Sequence, residues 1–138
     1  MRPPPAPARA KAPWRIGLGA KAHKAGHAAE WLAAALLMAK GYQVLGFRLK
    51  AGPGEIDLLA RRGRTLALVE VKRRESLEAA LDSLMPDQRV RLLRAGRTLV
   101  ARRRGLQGLD LRLDLFAFAP GRWPRHFRGL IVEDDRTV

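Results

Sequence analysis

Two apolar segments joined by a short break rich in arginine and glycine constrain the fold of this chain more than any other feature. Residues 54–60 are GEIDLLA, residues 66–72 are LALVEVK, and only residues 61–65 separate them. Short apolar runs on either side of a glycine-containing break are typical of a β-hairpin. The sequence therefore predicts two neighbouring antiparallel strands near the middle of the chain.

The charged residues of this hairpin fall on particular faces of the two strands. Because side chains alternate between the faces of a strand, Glu55 and Asp57 share one face of the first strand. By the same rule, Glu70 and Lys72 share one face of the second strand. The pairing of the two strands then decides whether these faces lie side by side.

The register of the hairpin brings the two charged faces together. With a loop at residues 62–65, Arg61 pairs with Leu66 and Asp57 lies opposite Glu70. An alternative two-residue loop at residues 62–63 would instead pair Arg61 with Arg64, which shifts the pairing by two residues and keeps the same faces together. Only a slip by an odd number of residues would separate the carboxylates, and that slip would also expose the apolar side chains. We therefore expect the three carboxylates and the lysine to converge on one patch.

Such a patch favours a metal ion. Neighbouring carboxylates raise one another's pKa, and a divalent cation relieves their repulsion. Mg²⁺ takes carboxylate oxygens together with waters and substrate phosphate oxygens, so Asp57, Glu70 and Glu55 are candidate ligands for Mg²⁺ or Mn²⁺. Lys72 is then placed to hold a water or a phosphate oxygen. The alternative is a surface salt-bridge cluster in which Lys72 pairs across the strands with Asp57.

The hairpin motif, GEIDLLA followed by VEVKRR, resembles the YraN family of bacterial proteins. That family is in turn similar to the PD-(D/E)XK nucleases, which include restriction endonucleases and Holliday-junction resolvases. The resemblance implies a restriction-endonuclease-like α/β/α core with a central mixed β-sheet flanked by helices. It also implies catalytic roles for Asp57, Glu70 and Lys72, with Glu55 as an additional acid.

The resemblance extends over residues 25–132. Glu30 matches a glutamate of the family's first helix, and residues 112–114 (RLD) match its late R-F-D strand. One departure stands out, because Gln88 occupies a position where the family usually has a lysine near the start of a helix. Glu30 and Gln88 are therefore candidates for supporting the site from a second layer of contacts.

The charge of the chain favours a polyanionic partner. There are 27 lysines and arginines against 13 acidic residues, which gives a formal net charge of +14. An excess of this size favours nucleic acid, with DNA preferred to RNA here because of the resemblance, and an anionic membrane is the weaker option. The candidate phosphate-binding residues are Arg73, Arg74, Arg89, Arg91, Arg94 and Arg97.

Location and domain organisation follow from the remaining features. No apolar run is long enough to span a membrane, cysteine is absent, and no secretory signal is visible, so we expect a cytoplasmic protein. We expect a disordered basic tail rich in proline and alanine at residues 1–14, one domain at residues 15–132 and a C-terminal tail at residues 133–138.

The remaining elements follow from periodicity and breaker residues. We expect one helix before the hairpin and two after it, with a strand preceding the hairpin and two strands closing the domain. The expected helices are residues 20–40, 75–84 and 87–104, and the expected additional strands are residues 42–50, 109–119 and 126–132.

Two functions fit these expectations. The first is a metal-dependent endonuclease that hydrolyses phosphodiester bonds in DNA, with branched DNA as a candidate substrate. The second is a protein that binds nucleic acid on a nuclease-like scaffold without cutting it. A homodimer is a further hypothesis, because resolvases cut two strands through two-fold symmetry. His126 is a candidate general base, although a structural role is the favoured interpretation. Arg112 and Asp114 are likewise interpreted as a structural ion pair.

Overall fold

The computed structural model describes residues 19–133, with side chains from residue 27 onward. The expected tail at residues 1–14 therefore lies outside the described residues, as do all but the first residue of the expected C-terminal tail. The elements are α1 (Gly19–Ala39), β1 (Gln43–Ala51), β2 (Gly54–Arg62), β3 (Thr65–Arg73), α2 (Leu77–Asp82), α3 (Pro86–Arg102), a 3-10 helix (Arg104–Leu106), β4 (Asp110–Phe118) and β5 (Arg125–Phe127).

Every helix and strand predicted from the sequence is present, and only the last strand differs greatly in extent. β5 pairs with β4 through three residues, whereas the expected strand covered residues 126–132. Gly129 explains the early end, because its φ of +69° turns the chain and its N–H donates to Asp114. The segment beyond β5 is therefore a loop attached to β4 rather than a strand.

The five strands form one mixed sheet in the order β1-β2-β3-β4-β5. Only β3 and β4 are parallel, and the other three neighbouring pairs are antiparallel. A parallel pair needs a long crossover connection, and α2 and α3 supply it between β3 and β4. The α/β class expected from the sequence is confirmed.

Helices cover both faces of the sheet. On one face, α1 contributes Ala33, Ala34 and Leu37 to a core that also contains side chains of β2, β3 and β4. On the other face, α2 and α3 pack over a second core of leucines and alanines. The architecture is therefore three-layered and compatible with the α/β/α core that the resemblance implies.

Local signals set where the helices begin and end. α1 ends in a Schellman motif, in which Gly41 has a φ of +95° and Tyr42 N–H donates to the Leu37 carbonyl. The hydroxyl of Ser76 caps α2 by accepting from Ala79 N–H at 3.0 Å, and α3 begins with Pro86. No helix within residues 19–133 is long and apolar enough to cross a membrane.

Candidate active site

The hairpin of β2 and β3 has the first of the two expected registers. Arg61 pairs with Leu66, and the ladder continues to the pair Leu58–Val69. The next position in this register sets Asp57 level with Glu70. The turn is two residues long and begins with Gly63, whose φ of +62° suits the first position of a tight hairpin turn.

Asp57 is fixed by a backbone contact from the neighbouring strand. The Val71 N–H donates to Oδ2 of Asp57 at 2.9 Å. Regular pairing of β2 with β3 ends at the Leu58–Val69 pair, one position before Asp57 would pair with Glu70. The carboxylate of Asp57 is therefore held at the point where the two strands separate.

Glu70 is buried and has polar partners on several sides. Only 7 % of the residue is exposed. Gln88, in the first turn of α3, donates from Nε2 to Oε2 of Glu70 at 3.1 Å. The Lys72 Nζ lies 3.5 Å from the same oxygen, and Asp57 is close enough for its charge to act on Glu70. Lys72 thus pairs along its own strand rather than with Asp57 across the hairpin.

The electrostatics of this pair favour a proton or a cation. Burial, followed by the charge of Asp57, raises the pKa of Glu70 to about 8, although Lys72 acts in the opposite direction. Burial also raises the pKa of Asp57, against the lowering effect of the Val71 N–H and the other side chains of the site. Charging both carboxyl groups at once is therefore unfavourable here, and Lys72 offsets this cost only in part.

The alternation of side chains along β2 breaks at Asp57. Leu58 belongs to the core under α1, whereas Ile56 belongs with Leu59 to the core under α2 and α3. Strict alternation would place Ile56 with Leu58. β1 is also irregular at this level. Its residue opposite Asp57 is Arg48, which has a φ of +49°. Such a φ is uncommon outside glycine and often occurs at functional sites.

This break corrects the expectation that Glu55 shares a patch with Asp57 and Glu70. Glu55 is exposed, and no three Asp, Glu, His or Cys side chains within the described residues are grouped closely enough to hold a metal ion. The charge of Glu55 still raises the pKa values of Asp57 and Glu30, so it acts on the site through the electric field. The close cluster consists of two carboxyl groups and one lysine.

Glu30 lies near the site but has its own partner. Its carboxylate accepts a hydrogen bond from Arg48 of β1 and forms an ion pair with it. Burial raises the pKa of Glu30, Arg48 lowers it, and Asp57 raises it further. Sequence reasoning missed Arg48. Its place opposite Asp57 could have been found by extending the strand register to β1. Its positive φ could not have been predicted from the sequence.

The arginines predicted to bind phosphate are divided among several places. Arg73 and Arg74 are exposed where β3 ends, and Arg91 is exposed on α3. Arg94 and Arg97 line a groove of about 400 Å³ with Pro53 and Thr98.

Arg89 differs from the other predicted arginines. It donates to the backbone carbonyls of Leu84 at 2.9 Å and Ile131 at 3.2 Å. These bonds tie the start of α3 to the C-terminal segment. Its position therefore supports a structural role for Arg89.

The loop between β1 and β2 forms one side of the groove. Gly52 has a φ of +53°, and a Cβ there would come within 2.8 Å of Oγ1 of Thr98 on α3. A larger residue would therefore disturb the contact between this loop and α3. The glycine is needed for close packing of the protein itself, whatever it also allows for a ligand.

Asp114 and its neighbours form a separate buried network. Arg112 donates twice to the Asp114 carboxylate, and Nε2 of His126 lies 2.8 Å from the same group. Burial alone would raise the pKa of Asp114, but the hydrogen bonds from His126 and Arg112 bring it below its usual value. Only 2 % of the His126 side chain is exposed. These contacts agree with the structural role favoured from the sequence.

The fold and this cluster define an α/β protein whose mixed five-stranded sheet presents a pair of carboxyl groups, one of them buried, and a lysine at the end of a hairpin. Within that class, the chain belongs to the family described as "Uncharacterised protein family UPF0102", whose model matches residues 29–118. That region contains Asp57, Glu70 and Lys72.

Similar proteins from several bacteria have the same family name. A UPF0102 protein of Caulobacter vibrioides (strain NA1000 / CB15N) is 59 % identical over 112 residues, covering 81 % of this chain and 90 % of the relative. A relative in Maricaulis maris is 49 % identical over 115 residues, with 83 % and 91 % coverage. One in Methylorubrum extorquens is 46 % identical over 127 residues, with 91 % and 92 % coverage. The similarity therefore spans most of each protein.

Proposed function

We propose that this protein is a Mg²⁺- or Mn²⁺-dependent nuclease that hydrolyses phosphodiester bonds in DNA. The observation that carries the proposal is the close grouping of Asp57, Glu70 and Lys72 at the separation of β2 and β3. These residues match the D…ExK pattern of the PD-(D/E)XK nucleases, which the YraN family resembles.

The donor set suits a hard divalent cation. Asp57 and Glu70 offer carboxylate oxygens whose mutual repulsion a cation would relieve. Mg²⁺ is commonly held by one or two carboxylates together with waters and substrate phosphates, so a third protein ligand is not required. When bound, the cation supplies charge stabilisation on the phosphodiester and lowers the pKa of a water.

The surrounding residues keep the two carboxylates in place. The Val71 N–H fixes one oxygen of Asp57, and the Gln88 amide fixes one oxygen of Glu70. Lys72 lies close enough to Glu70 to orient the attacking water beside it. Glu55, exposed next to this cluster, would act through a water rather than as a direct ligand.

The basic surface around the site accounts for binding of the DNA backbone. The groove with Arg94 and Arg97 borders the loop that leads into β2, and Gly54, the first residue of β2, lies against α3. Arg73 and Arg74 follow Lys72 directly. Contacts of this kind position a nucleic acid without reading its sequence, so we expect sequence-independent affinity.

Two observations favour binding without cleavage as the second candidate. The close cluster has two carboxyl groups rather than three, and Gln88 stands where the YraN pattern usually has a lysine. A protein of this kind would bind DNA equally well with and without divalent cations. Its affinity would also be unchanged by Glu70→Ala, because the arginines alone would hold the phosphates.

Cleavage assays with purified protein distinguish the two functions. Labelled linear, nicked and branched DNA would be incubated with Mn²⁺, with Mg²⁺ and with a chelator. We expect cation-dependent cleavage that Glu70→Ala and Lys72→Ala each reduce at least about a hundredfold, a typical loss for a group acting in the chemical step. Glu78→Ala removes an exposed carboxylate from α2 and is the matched control, which should cleave as the wild type does.

Two results would overturn the nuclease proposal. The first is an absence of cleavage with every substrate and cation while DNA binding is retained, which would support the second candidate. The second is cleavage that persists in both variants, which would mean that the activity does not come from this cluster.

A further inference from the structure

A second cleft lies beyond the carboxyl pair, at the ends of the two parallel strands. Its volume is about 620 Å³, and its lining residues are Arg73, Arg74, Glu75, Phe118, Ala119 and Pro120. The first two belong to the basic surface already described, whereas the other four have no role in the proposed hydrolysis. The combination of two guanidinium groups, a carboxylate and an aromatic ring in one cleft points to a specific ligand.

The two arginines supply phosphate-binding groups. Both residues are exposed, and Arg74 uses one of its donors to reach the carbonyl of Arg73 at 2.7 Å. A guanidinium has five N–H donors, so this bond leaves most of them directed elsewhere. Planar guanidinium groups match phosphate oxygens well. One side of the cleft is therefore suited to a phosphate.

Phe118 supplies an apolar surface. Its ring is half-buried and lies 5.8 Å from the ring of Phe116, with an angle of 28° between the two planes. Because Phe116 is buried, it supports Phe118 from the side of the core. An aromatic ring beside arginines is the usual arrangement for stacking an unpaired base. Glu75 adds an acceptor for an exocyclic amino group of such a base.

The size and position of the cleft restrict its ligand to a single strand. Its volume lies within the range of about 300–1,000 Å³ that is usual for small-molecule sites. In a base-paired duplex the faces of the bases are stacked on one another inside the helix, so only an unpaired base can stack on Phe118. Arg73 follows Glu70 by three residues, which is about 10 Å along a strand. Phe118 packs on the α1 side of the sheet whereas Glu70 faces α3, so a strand cut at the carboxyl pair would pass the end of β3 and reach the cleft after a few nucleotides.

We propose that this cleft binds an unpaired nucleotide and that the substrate is duplex DNA with a single-stranded arm beside the cleavage site. The phosphate of that nucleotide contacts Arg73 and Arg74, its base stacks on Phe118, and Glu75 accepts from the edge of the base. The assignment of the arm to a cleavage substrate rests on the proposed nuclease function, whereas binding of the nucleotide does not.

Fluorescence anisotropy in the presence of a chelator tests binding separately from cleavage. The probes are a blunt duplex, the same duplex with an unpaired 3′ arm, and the same duplex with an unpaired 5′ arm. We expect the wild type to bind one armed duplex about tenfold more tightly than the blunt one, since base stacking on an aromatic ring is worth that much. Phe118→Leu should remove this preference and leave affinity for the blunt duplex unchanged.

A second variant tests the phosphate contacts without disturbing the core. Arg73→Gln with Arg74→Gln should weaken binding of the armed duplex more than that of the blunt duplex. The matched control is Arg103→Gln with Arg104→Gln, which removes the same charge from exposed positions between α3 and β4, on the connection that leads to the opposite end of the parallel strands. This control should leave the ratio of the two affinities unchanged.

The results separate this proposal from the nuclease proposal. The cleft assignment would be overturned if the wild type showed no preference for either armed duplex. It would also be overturned if a preference survived in both the Phe118→Leu and the Arg73→Gln/Arg74→Gln variants, even if the protein cleaves DNA. A preference that both variants abolish supports the assignment even if no cleavage occurs. If cleavage does occur, mapping should place it within a few nucleotides of the junction between duplex and arm.

Discussion

At the scale of single residues, the buried carboxyl group of Glu70 lowers the stability of the folded protein when it is charged. A carboxyl group that is 7 % exposed and faces Asp57 is unfavourable when charged, and its partners Gln88 and Lys72 compensate only in part. Groups with strongly shifted pKa values occur often at functional sites. The pKa of Glu70, about 8, therefore predicts an effect of pH on folding as well as a place for chemistry.

Glu70→Gln should stabilise the protein in alkaline solution when divalent cations are absent. The folded-state pKa of Glu70 is raised from 4.5 to about 8, so the folded protein binds this proton more tightly than the unfolded chain. Its stabilising effect is complete below the unfolded pKa and is lost as the pH rises through about 8. We expect the variant to gain about 1–3 kcal/mol near pH 9, and little near pH 4.

Urea denaturation with a chelator at several pH values measures this gain. Glu78→Gln, which changes an exposed carboxylate on α2, is the control and should show no comparable gain. A Glu70→Gln protein that is less stable than the wild type near pH 9 would mean that the charged carboxylate is favourable where it lies. The burial argument would then fail.

At the scale of elements, the contact between α3 and β3 places Gln88 on Glu70. Gly96 is buried in α3, and a Cβ at this position would come within 2.4 Å of Cδ1 of Leu68. Leu68 precedes Glu70 by two residues on β3 and is itself buried. The absence of a side chain at Gly96 therefore allows α3 to lie close to the strand that holds the acid.

Gly96→Ala should destabilise the protein despite the better helix propensity of alanine. The substitution gains about 1 kcal/mol in propensity, whereas overpacking a core costs about 1–3 kcal/mol. We expect a net loss of about 1 kcal/mol in the free energy of unfolding. Denaturant titration measures this loss, and weaker cleavage should accompany it if displaced α3 moves Gln88 away from Glu70.

Gly105→Ala is the matched control, because a Cβ at Gly105 meets nothing within 4 Å. It should leave stability unchanged or slightly raised. Leu68→Val in the Gly96→Ala background should recover part of the loss, since it makes room for the new methyl group. Equal stability of Gly96→Ala and the wild type would show that Leu68 moves aside without cost.

At the scale of the whole molecule, a net charge of +14 sets the affinity for polyanions. Each phosphate neutralised by the protein releases counterions, so binding weakens steeply as salt increases. The groove with Arg94 and Arg97 is one part of the described structure where such contacts can form beside the site. A homodimer and a cytoplasmic location stay predictions at this scale.

Replacing Arg94 and Arg97 with glutamine should reduce the salt dependence of DNA binding. The slope of the logarithm of the binding constant against that of the salt concentration should fall by about 1–2, since each phosphate contact contributes about 0.9. Anisotropy titrations of a blunt duplex measure the slope, and thermal unfolding checks that both proteins are folded. The Arg103→Gln/Arg104→Gln control should leave the slope nearly unchanged, whereas an equal fall in both would mean that net charge alone governs binding.

The sequence by itself determined the elements and the central register. Apolar alternation and the Arg/Gly break specified the hairpin and set Asp57 opposite Glu70, because the side-chain period of a strand makes register readable from pattern. Helical spacing specified the three helices, and Gly41 and Pro86 marked where α1 and α2 end. The sheet flanked by helices, which the resemblance implies, was also correct.

Only the tertiary structure decided which side chains meet at the site. Arg48 pairs with Glu30, and Gln88 with Glu70, across 18 residues of sequence in each case. The irregular backbone at Arg48, the break in alternation at Asp57 and the exposure of Glu55 were equally hidden. Periodicity reports the face of an element but not the neighbour it packs against. Close packing between elements sets those neighbours, and no local pattern contains that information.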